Sequence, residues 1–408
     1  MNTPLAWKNL LHNKVRTAVA LAGVAFAVIL IFMQLGFKGA VRKTATQIYD
    51  ALDFDLMLRS PEYLHLTDPG TFPAERIYQA ESFPGVTQVR PLYLGLSEWQ
   101  RPQRSDLPPE NWDGQWRGII CLGADPNDPP FTSEALRTTA RGLTDPRFVA
   151  IDSKSKADFG PVDGRRFGAK DLGVETVLGG GRVRIIDVFE LGTGLACNGA
   201  CMVSPAGYAT ACPWQSLDQI NLGLAKLAPG IEPEAMQREL QRLVGPTDTD
   251  PERPQTSATP ADVEVLTRDE VIRREEYRWV EQTPLGKIFT FGVWVAMFVG
   301  VAIVYQVLST DIANMMGEYA TLKAMGYSNR YLTRVVLEQS VLLALIGYVP
   351  SLVASWVLYK IVGATSGMPM SLTPGIAGLV LVLAVVMCVL SGMAALRKLY
   401  QADPADLF

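Results

Sequence analysis

Four long stretches without a charged residue constrain the fold of this chain more than any other feature. The uncharged intervals cover residues 17–37, 288–310, 339–359 and 361–396, and residues 374–396 are the most apolar part of the last interval. A bilayer core about 30 Å thick requires about 20 apolar residues in a helix. Lipid offers no partner for backbone N–H and C=O groups, so such segments must be helical. The sequence therefore predicts a multi-pass membrane protein with four transmembrane α-helices.

Two other interpretations of these stretches fit the sequence less well. Buried helices of a soluble protein are rarely this long without a single charge. The first stretch is also longer than the apolar part of a signal peptide, which has about 7–15 residues. The residues that follow it, at 34–38, do not resemble a small-residue cleavage site. We therefore expect the first stretch to be a retained anchor.

Basic residues near the ends of the spans predict their orientation, because short cytoplasmic segments are enriched in Lys and Arg. The N-terminal segment, the loop 311–334 and the C-terminal tail all contain basic residues, whereas the connection 361–373 contains no charge. Lys38, Arg42 and Lys43 lie on the other side of span one, but long translocated segments follow the rule only weakly. Both termini and the loop 311–334 are therefore expected in the cytoplasm.

These patterns together predict the organisation of the whole chain. The predicted segments are a cytoplasmic amphipathic helix at 1–16, spans at 17–37, 288–310, 335–360 and 374–396, an extracytoplasmic domain at 38–287, cytoplasmic segments at 311–334 and 397–408, and a short outer loop at 361–373. The large domain is thus inserted between helices 1 and 2.

Short apolar or alternating runs bounded by Gly, Pro or Asp predict a mixed α/β fold for the insert. The predicted strands are 55–59, 86–99, 118–123, 148–151, 182–191, 219–226 and 263–266. Helical spacing at 39–52 predicts that the first span continues outward, and residues 231–244 form a second predicted helix. Residues 245–260 are polar and rich in Pro, which predicts a flexible loop. A charged helix at 267–281 is expected to start at Thr267, with Glu270 at the capping-box spacing.

Four of the five cysteines lie in the insert, where an extracytoplasmic location permits disulfides. Cys197, Cys201 and Cys212 are close in sequence, so a Cys197–Cys201 or Cys201–Cys212 bridge is one prediction. Partly buried thiols are the alternative, since spacing alone does not determine pairing. The chain has only two histidines, which argues against a metal site beside these cysteines. Cys388 lies within span four, where a packing role is expected.

The sequence contains none of the common motifs of nucleotide hydrolysis or hydrolytic catalysis. It has no GxxxxGK[ST] loop, no HExxH motif and no GxSxG elbow. The net charge of −4, from 37 basic and 41 acidic residues, also excludes a strongly basic nucleic-acid binder. The four uncharged stretches contain no acidic residue that would indicate a proton relay. We therefore expect no enzymatic activity and no cofactor in this chain, and any energy input must come from a partner.

The loop between spans two and three contains an amphipathic pattern. Tyr319, Leu322, Met325 and Gly326 recur at three- to four-residue spacing, which predicts a short helix over about 315–325 that ends at Gly326. Such a helix between two spans transmits force from a soluble partner or rests on lipid headgroups. The residues alone favour neither interpretation.

Three segments resemble FtsX/MacB-type ABC transporter permeases. The segment EYATLKAMGY at 318–327 resembles the coupling segment of that family, residues 5–28 resemble its N-terminal amphipathic helix and first span, and residues 395–408 resemble its closing segment. FMQLGF at 32–37, VYQVL at 304–308 and ADPADLF at 402–408 resemble DevC-type permeases of DevBCA exporters. The cysteine-containing stretch 197–212 departs from the DevC pattern.

The resemblance implies a bacterial inner-membrane exporter subunit that forms a homodimer. It implies a separate ATPase subunit that carries ATP and Mg²⁺, a periplasmic membrane-fusion adaptor, a TolC-like outer-membrane channel and a lipid or glycolipid cargo. The residues that it assigns to ATPase contact are Glu318, Tyr319, Leu322, Lys323, Met325, Gly326 and Tyr327. Met33, Gln34 and Phe37 are candidates for a dimer seam, with ordinary packing between spans as the alternative.

Two other functions compete with export. One is an FtsX-like signalling subunit that activates an external partner without transport, although a smaller insert is then expected. The other is a membrane-anchored sensor or scaffold, which needs neither an ATPase nor the segment at 318–327.

Overall fold

The computed structural model describes residues 14–103, 114–160, 166–192, 197–244, 262–315, 317, 321, 325, 328–366 and 368–401. The chain forms two compact units, of which one is Lys43–Trp279 and the other combines Met1–Arg42 with Val280–Phe408. We call the first the α/β unit and the second the helical unit.

The helices and strands are numbered in chain order. They are α1 (Lys14–Ala51), β1 (Leu56–Arg59), β2 (Phe72–Pro73), α2 (Glu75–Glu81), β3 (Val86–Gln100), β4 (Trp116–Ala124), α3 (Glu134–Arg141), β5 (Phe148–Asp152), β6 (Glu175–Leu178), β7 (Gly181–Phe189), β8 (Ala200–Val203), α4 (Pro205–Ala211), β9 (Gln219–Ile220), β10 (Leu222–Leu227), α5 (Pro233–Val244), β11 (Glu264–Thr267), α6 (Arg268–Tyr277), α7 (Pro284–Asn314), α8 (Asn329–Ser366) and α9 (Pro374–Gln401).

Among the described residues, four helices are long and apolar enough to cross a membrane. The qualifying segments are Thr17–Ala51, Pro284–Asn314, Thr333–Thr365 and Pro374–Leu396. They confirm the four apolar helices predicted from the uncharged stretches. Helix α1 extends to Ala51, as the helical spacing of residues 39–52 predicts.

The helical unit is held together by an apolar core and by hydroxyl groups that bond to neighbouring helices. The Ser351 hydroxyl on α8 donates to the Ala25 carbonyl on α1 at 3.3 Å, and the Ser391 hydroxyl on α9 donates to the Val301 carbonyl on α7 at 3.0 Å. Hydrocarbon supplies no water to such hydroxyls, so bonds between helices satisfy them. Cys388 is fully buried in the same core, in agreement with the expected packing role.

The α/β unit is built on a nine-stranded sheet within the described residues. Its strand order is β11-β1-β10-β3-β4-β8-β5-β7-β6, and β6 also pairs with β3 through Leu178 and Trp99. The β4–β8 and β5–β7 pairs are parallel, and the other neighbours are antiparallel. The insert is thus a mixed α/β fold, as its short bounded runs predict.

Both faces of this sheet are buried, because alternate side chains of each strand enter two different cores. On β4, Ile119 and Cys121 enter the core that α2, α4 and α5 cover. Ile120 and Leu122 enter the core that α3, α6 and the end of α1 cover. A strand buried on both sides needs apolar residues at successive positions, which explains the unbroken apolar run of β4.

The structure differs from the sequence prediction mainly in short elements. The predicted strand 219–226 is divided into β9 and β10, because Asn221 between them bonds through its side chain to Leu94 and Gly70. Strands β2, β6 and β8 and helices α2, α3 and α4 were not predicted, since each has too few residues to show a clear period. The predicted loop 245–260 lies outside the described residues.

Candidate functional site

The last turns of α1 meet the start of the charged helix α6 inside the α/β unit. Five side chains form a polar cluster there, which we call the helix-root cluster. Its members are Tyr49 on α1, Arg59 on β1, Tyr63 in the following loop, Glu264 on β11 and Glu275 on α6. Glu275 is 2% exposed and Arg59 5% exposed, so the central ion pair of the cluster is almost entirely removed from water.

Arg59 is the centre of the helix-root cluster. Its Nε lies 2.7 Å from Glu264 Oε1, and its Nη1 lies 3.7 Å from Glu275 Oε1. The guanidinium carbon also lies 4.3 Å from the centre of the Tyr63 ring. The Tyr49 and Tyr63 hydroxyls hydrogen-bond to each other, and both lie close enough to Glu275 to affect its pKa. Each buried polar group therefore has partners from other elements, as buried charges require.

Burial dominates the electrostatics of this cluster. Desolvation raises the pKa of Glu275 above its usual range, against the opposing attraction of Arg59. Desolvation also raises the pKa of Tyr63, so its hydroxyl remains protonated at neutral pH. Arg59 and the two tyrosines thus surround Glu275 of α6 beside the end of α1.

Replacing Glu275 with Gln should change how stability depends on pH. An acid whose pKa is raised on folding stabilises the fold below its unfolded pKa, and this contribution is lost as pH rises through the folded pKa. The stability of the wild type relative to Glu275→Gln should therefore decline as pH increases above about 4.5. Thermal unfolding in detergent between pH 4.5 and 7.5 measures this difference. The exposed residue Glu239 provides the control, and an equal pH trend in Glu239→Gln would contradict the prediction.

Arg268, the first residue of α6, also caps the C-terminal end of α1. The Arg268 guanidinium donates to the Leu52 carbonyl at 2.9 Å and to the Tyr49 carbonyl at 3.1 Å. The last carbonyls of a helix lack partners within the helix and carry partial negative charge, so an arginine stabilises them. Thr267 caps α6 as predicted, accepting a hydrogen bond from the Glu270 N–H at 3.3 Å.

The connection after α1 is fixed by a second group of charges. Asp53 lies 3.2 Å from Arg90 on β3 and 3.1 Å from Lys226 on β10. Partial burial raises the pKa of Asp53, but the bonds and charges of Lys226 and Arg90 lower it overall. The Asp55 carboxylate accepts hydrogen bonds from the Lys226 side chain and the Leu227 N–H. The end of α1 is therefore attached to the sheet as well as to α6.

Within the helical unit, α1 contacts the start of α7. Lys38 Nζ lies 3.0 Å from the Thr290 hydroxyl and 3.5 Å from Glu281 Oε1. The rings of Phe37 and Phe289 stack with their centres 5.4 Å apart. A π-helical turn at Arg278–Gln282 separates α6 from α7. Such turns are frequent at functional sites.

Two of the three predicted dimer-seam residues, Gln34 and Phe37, contact other parts of the same chain. Phe37 stacks on Phe289, and the Gln34 side chain lies against Gly292, where a β-carbon would be 2.5 Å from it. Met33 is half-buried. These contacts for Gln34 and Phe37 agree with ordinary packing between spans, while the seam itself stays a prediction.

Most of the predicted ATPase-contact residues lie outside the described residues, namely Glu318, Tyr319, Leu322, Lys323, Gly326 and Tyr327. Met325 is described, and its side chain is 63% exposed. The Met325 N–H donates to the Thr321 carbonyl at 3.0 Å, and the Thr321 hydroxyl donates to the Gly317 carbonyl at 2.9 Å. These i to i−4 bonds are those of a helical turn, so an apolar side chain projects outward at its end.

Neither predicted bridge is present in the structure, and both stay predictions. All five cysteines lie among the described residues, and no disulfide joins any of them. Cys201 lies in β8 with its side chain in the sheet core, whereas the half-buried Cys197 directs its Sγ toward the Gly118 carbonyl at 3.5 Å. Cys201 instead has Cys121 as its register partner on β4.

The helix-root cluster was not predicted from the sequence. Arg59 and Glu275 are more than 200 positions apart, and neither belongs to a short motif. The one available signal was Arg59 itself, a charge at the end of the otherwise apolar strand β1. Buried arginines usually have an acidic partner, but the sequence alone does not say which of the 41 acidic residues it is.

Residues 290–404 match the model of the family described as FtsX-like permease C-terminal. No curated protein matches the chain. Among solved structures, the periplasmic region of MacB from Actinobacillus actinomycetemcomitans is similar at 9% identity and a TM-score of 0.34, covering 56% of this chain and 95% of that chain. The extracellular domain of the noncanonic ABC-type transporter YknZ from Gram-positive bacteria is similar at 15% identity and a TM-score of 0.31, covering 52% of this chain and 99% of that chain.

The matched region includes nearly all of α7 together with α8 and α9. It also includes the segment 318–327, whose sequence resembles the coupling segment of FtsX/MacB-type permeases. The four apolar helices and this match support a membrane protein whose residues 290–404 are similar to the FtsX-like permease C-terminal family.

Proposed function

We propose that this chain is the permease subunit of an ABC exporter of the MacB-like type. The observation that carries the proposal is the match of residues 290–404 to the FtsX-like permease C-terminal family. ATP and Mg²⁺ bind to a separate ATPase subunit in this proposal, and this chain contributes no catalytic group.

In the proposed mechanism, the ATPase moves the segment at 318–327. The exposed Met325, together with Leu322, fills an apolar groove on the ATPase, while Glu318 and Lys323 set the register of the contact. Tyr319, Gly326 and Tyr327 belong to the same proposed contact with the ATPase. A helix is stiff over several turns, so displacement at one end is carried along the adjoining spans.

The contacts around the helix-root cluster support a mechanical role for the α/β unit. Because Arg268 donates to two carbonyls of α1, the ends of α1 and α6 are expected to move together. The attachment of Asp53 to Lys226 and Arg90 extends this motion to the sheet.

The finer parts of the proposal come from the sequence resemblance. In this finer proposal, the chain belongs to a DevC-type exporter in a bacterial inner membrane. Both of its termini lie in the cytoplasm, and the α/β unit lies in the periplasm. The permease acts as a homodimer with a periplasmic adaptor and a TolC-like outer-membrane channel, and exports a lipid or glycolipid.

Affinity purification of the tagged full chain in mild detergent, followed by mass spectrometry, tests this function. We expect an ABC ATPase and a periplasmic adaptor to co-purify. Co-purification of the ATPase with a peptidoglycan hydrolase and no adaptor would replace export by the FtsX-like signalling function. Recovery without any ATPase, while a tagged control membrane protein retains its known partner, would overturn the proposal.

A further inference from the structure

Two cysteines and a glycine lie side by side on one face of the central sheet. Cys121 on β4 is the register partner of Cys201 on β8 and of Gly95 on β3. Directly opposed residues on neighbouring strands project to the same face of a sheet. Cys201 and Cys121 are both fully buried in the core that α4 covers.

A third cysteine reaches this row from the helix layer above the sheet. Cys212 follows the last residue of α4 and is fully buried. A β-carbon placed on Gly95 would lie 3.0 Å from Cys212 Sγ, so this sulfur occupies the space that the glycine leaves open. Because Gly95 is directly beside Cys121, the Cys212 sulfur is brought next to the Cys121 side chain. The neighbouring Cys201 and Cys212 both affect the pKa of Cys121.

Disulfide geometry favours one of the two neighbours of Cys121. A disulfide requires β-carbons about 3.5–4.5 Å apart. Side chains on adjacent parallel strands project side by side, with a strand spacing of about 4.8 Å, which is too wide for Cys121 and Cys201. Cys212 belongs to a different layer, and its side chain approaches Cys121 across the gap left by Gly95.

We propose that Cys121 and Cys212 form a disulfide in the protein as it exists in the cell, and that Cys201 remains a thiol. The proposal rests on the extracytoplasmic location of the α/β unit in the proposed function, because that compartment is oxidising. The bond connects α4 to the central strand β4 and closes a loop of about 90 residues.

The oxidant is a disulfide-carrying oxidoreductase of the same compartment. A thiolate of the chain attacks the oxidant's disulfide, and the second thiolate then displaces the oxidant from the mixed disulfide. The chain loses two protons and two electrons, one S–S bond forms in it, and the oxidant leaves as a dithiol. The hydrogen bond with Cys201 raises the pKa of Cys121, and the bond with Cys121 raises that of Cys212. The bond therefore forms before α4 packs onto the sheet, while the thiols are still accessible.

Peptide mapping of the full chain, purified from membranes without reductant, tests the pairing. The chain is denatured in N-ethylmaleimide and digested without reduction. Trypsin alone leaves Cys197, Cys201 and Cys212 in one peptide, so chymotrypsin is added to cleave after Tyr208. We expect a Cys121 peptide joined to a Cys212 peptide, with maleimide on Cys197 and Cys201. Maleimide on all five cysteines, or a bond that involves Cys201, would overturn the proposal.

Thermal unfolding provides a second measurement. Reduction should lower the Tm of the wild type by about 10 °C, given the length of the closed loop. The control variant Cys201→Ala should show the same shift on reduction, and Cys212→Ala should show none. Equal shifts in Cys212→Ala and the wild type would overturn the pairing.

Labelling of an introduced cysteine separates this proposal from the proposed function. Ser82 is exposed in the α/β unit, so Ser82→Cys should react with a membrane-impermeant maleimide in right-side-out vesicles. Labelling at this position with all native cysteines reduced would overturn the disulfide alone. Absence of labelling, with full labelling after lysis, would overturn the extracytoplasmic location and the disulfide with it.

Discussion

Replacing Arg59 with Met should destabilise the α/β unit by about 3–5 kcal/mol, because it leaves the Glu275 carboxylate buried without its positive partner. Glu275 is 2% exposed, and the Arg59 guanidinium also bonds to Glu264. For a unit of this size the change corresponds to a decrease in Tm of roughly 6–20 °C. Thermal unfolding of the full chain in detergent, followed by circular dichroism, measures it.

An exposed ion pair provides the matched control for this substitution. Arg184 lies 2.9 Å from Glu175, with both side chains more than half exposed. Exposed pairs contribute at most about 1 kcal/mol, so Arg184→Met should change stability little. Adding Glu275→Gln to Arg59→Met should recover part of the loss, since the unpaired charge is then removed. Similar effects of Arg59→Met and Arg184→Met would show that the helix-root cluster does not stabilise the unit.

Replacing Met325 with Glu should abolish the coupling between ATP hydrolysis and export. Met325 is 63% exposed at the end of a helical turn, and the proposed function places it in an apolar groove of the ATPase. Burying a carboxylate without a partner costs at least about 3 kcal/mol, which corresponds to a loss of binding of roughly 100-fold or more. Co-purification of the ATPase and its stimulation by the permease in lipid vesicles measure the effect.

The conservative variant Met325→Leu is the matched control, because it keeps the volume and apolar character of the side chain. It should retain ATPase binding and stimulation close to those of the wild type. Leu322→Glu should resemble Met325→Glu, since the sequence pattern places both on the same helix face. Coupled ATPase activity at the wild-type level in Met325→Glu would remove Met325 from the contact.

The helices of the membrane portion could be predicted almost completely from the sequence. A span depends on a run of about 20 apolar residues, which is a local property that needs no knowledge of other segments. The four apolar helices confirm that prediction. The continuation of α1 to Ala51 and the N-cap at Thr267 were also predicted, because both depend on residues within a few positions of each other.

The arrangement of the α/β unit could not be predicted in the same way. Its sheet places β1 between β10 and β11, strands that come from distant parts of the sequence. The short strands β6 and β8 have only four residues each, and such short elements depend on their neighbours for stability. The sequence predicted disulfides between cysteines that are close along the chain. In the structure, the sheet register places Cys121 beside Cys201. The space left by Gly95 brings Cys212 close to Cys121.

The sequence by itself determined that this chain contains four apolar helices, a mixed α/β insert and a permease-like segment at 318–327, because length, periodicity and short motifs are local properties. Only the tertiary structure decided that Arg59, Tyr63 and Glu275 form one buried cluster, and that Arg268 caps α1. Buried ion pairs and thiol contacts depend on which surfaces meet after folding, and residues more than 200 positions apart carry no local sign that they will meet.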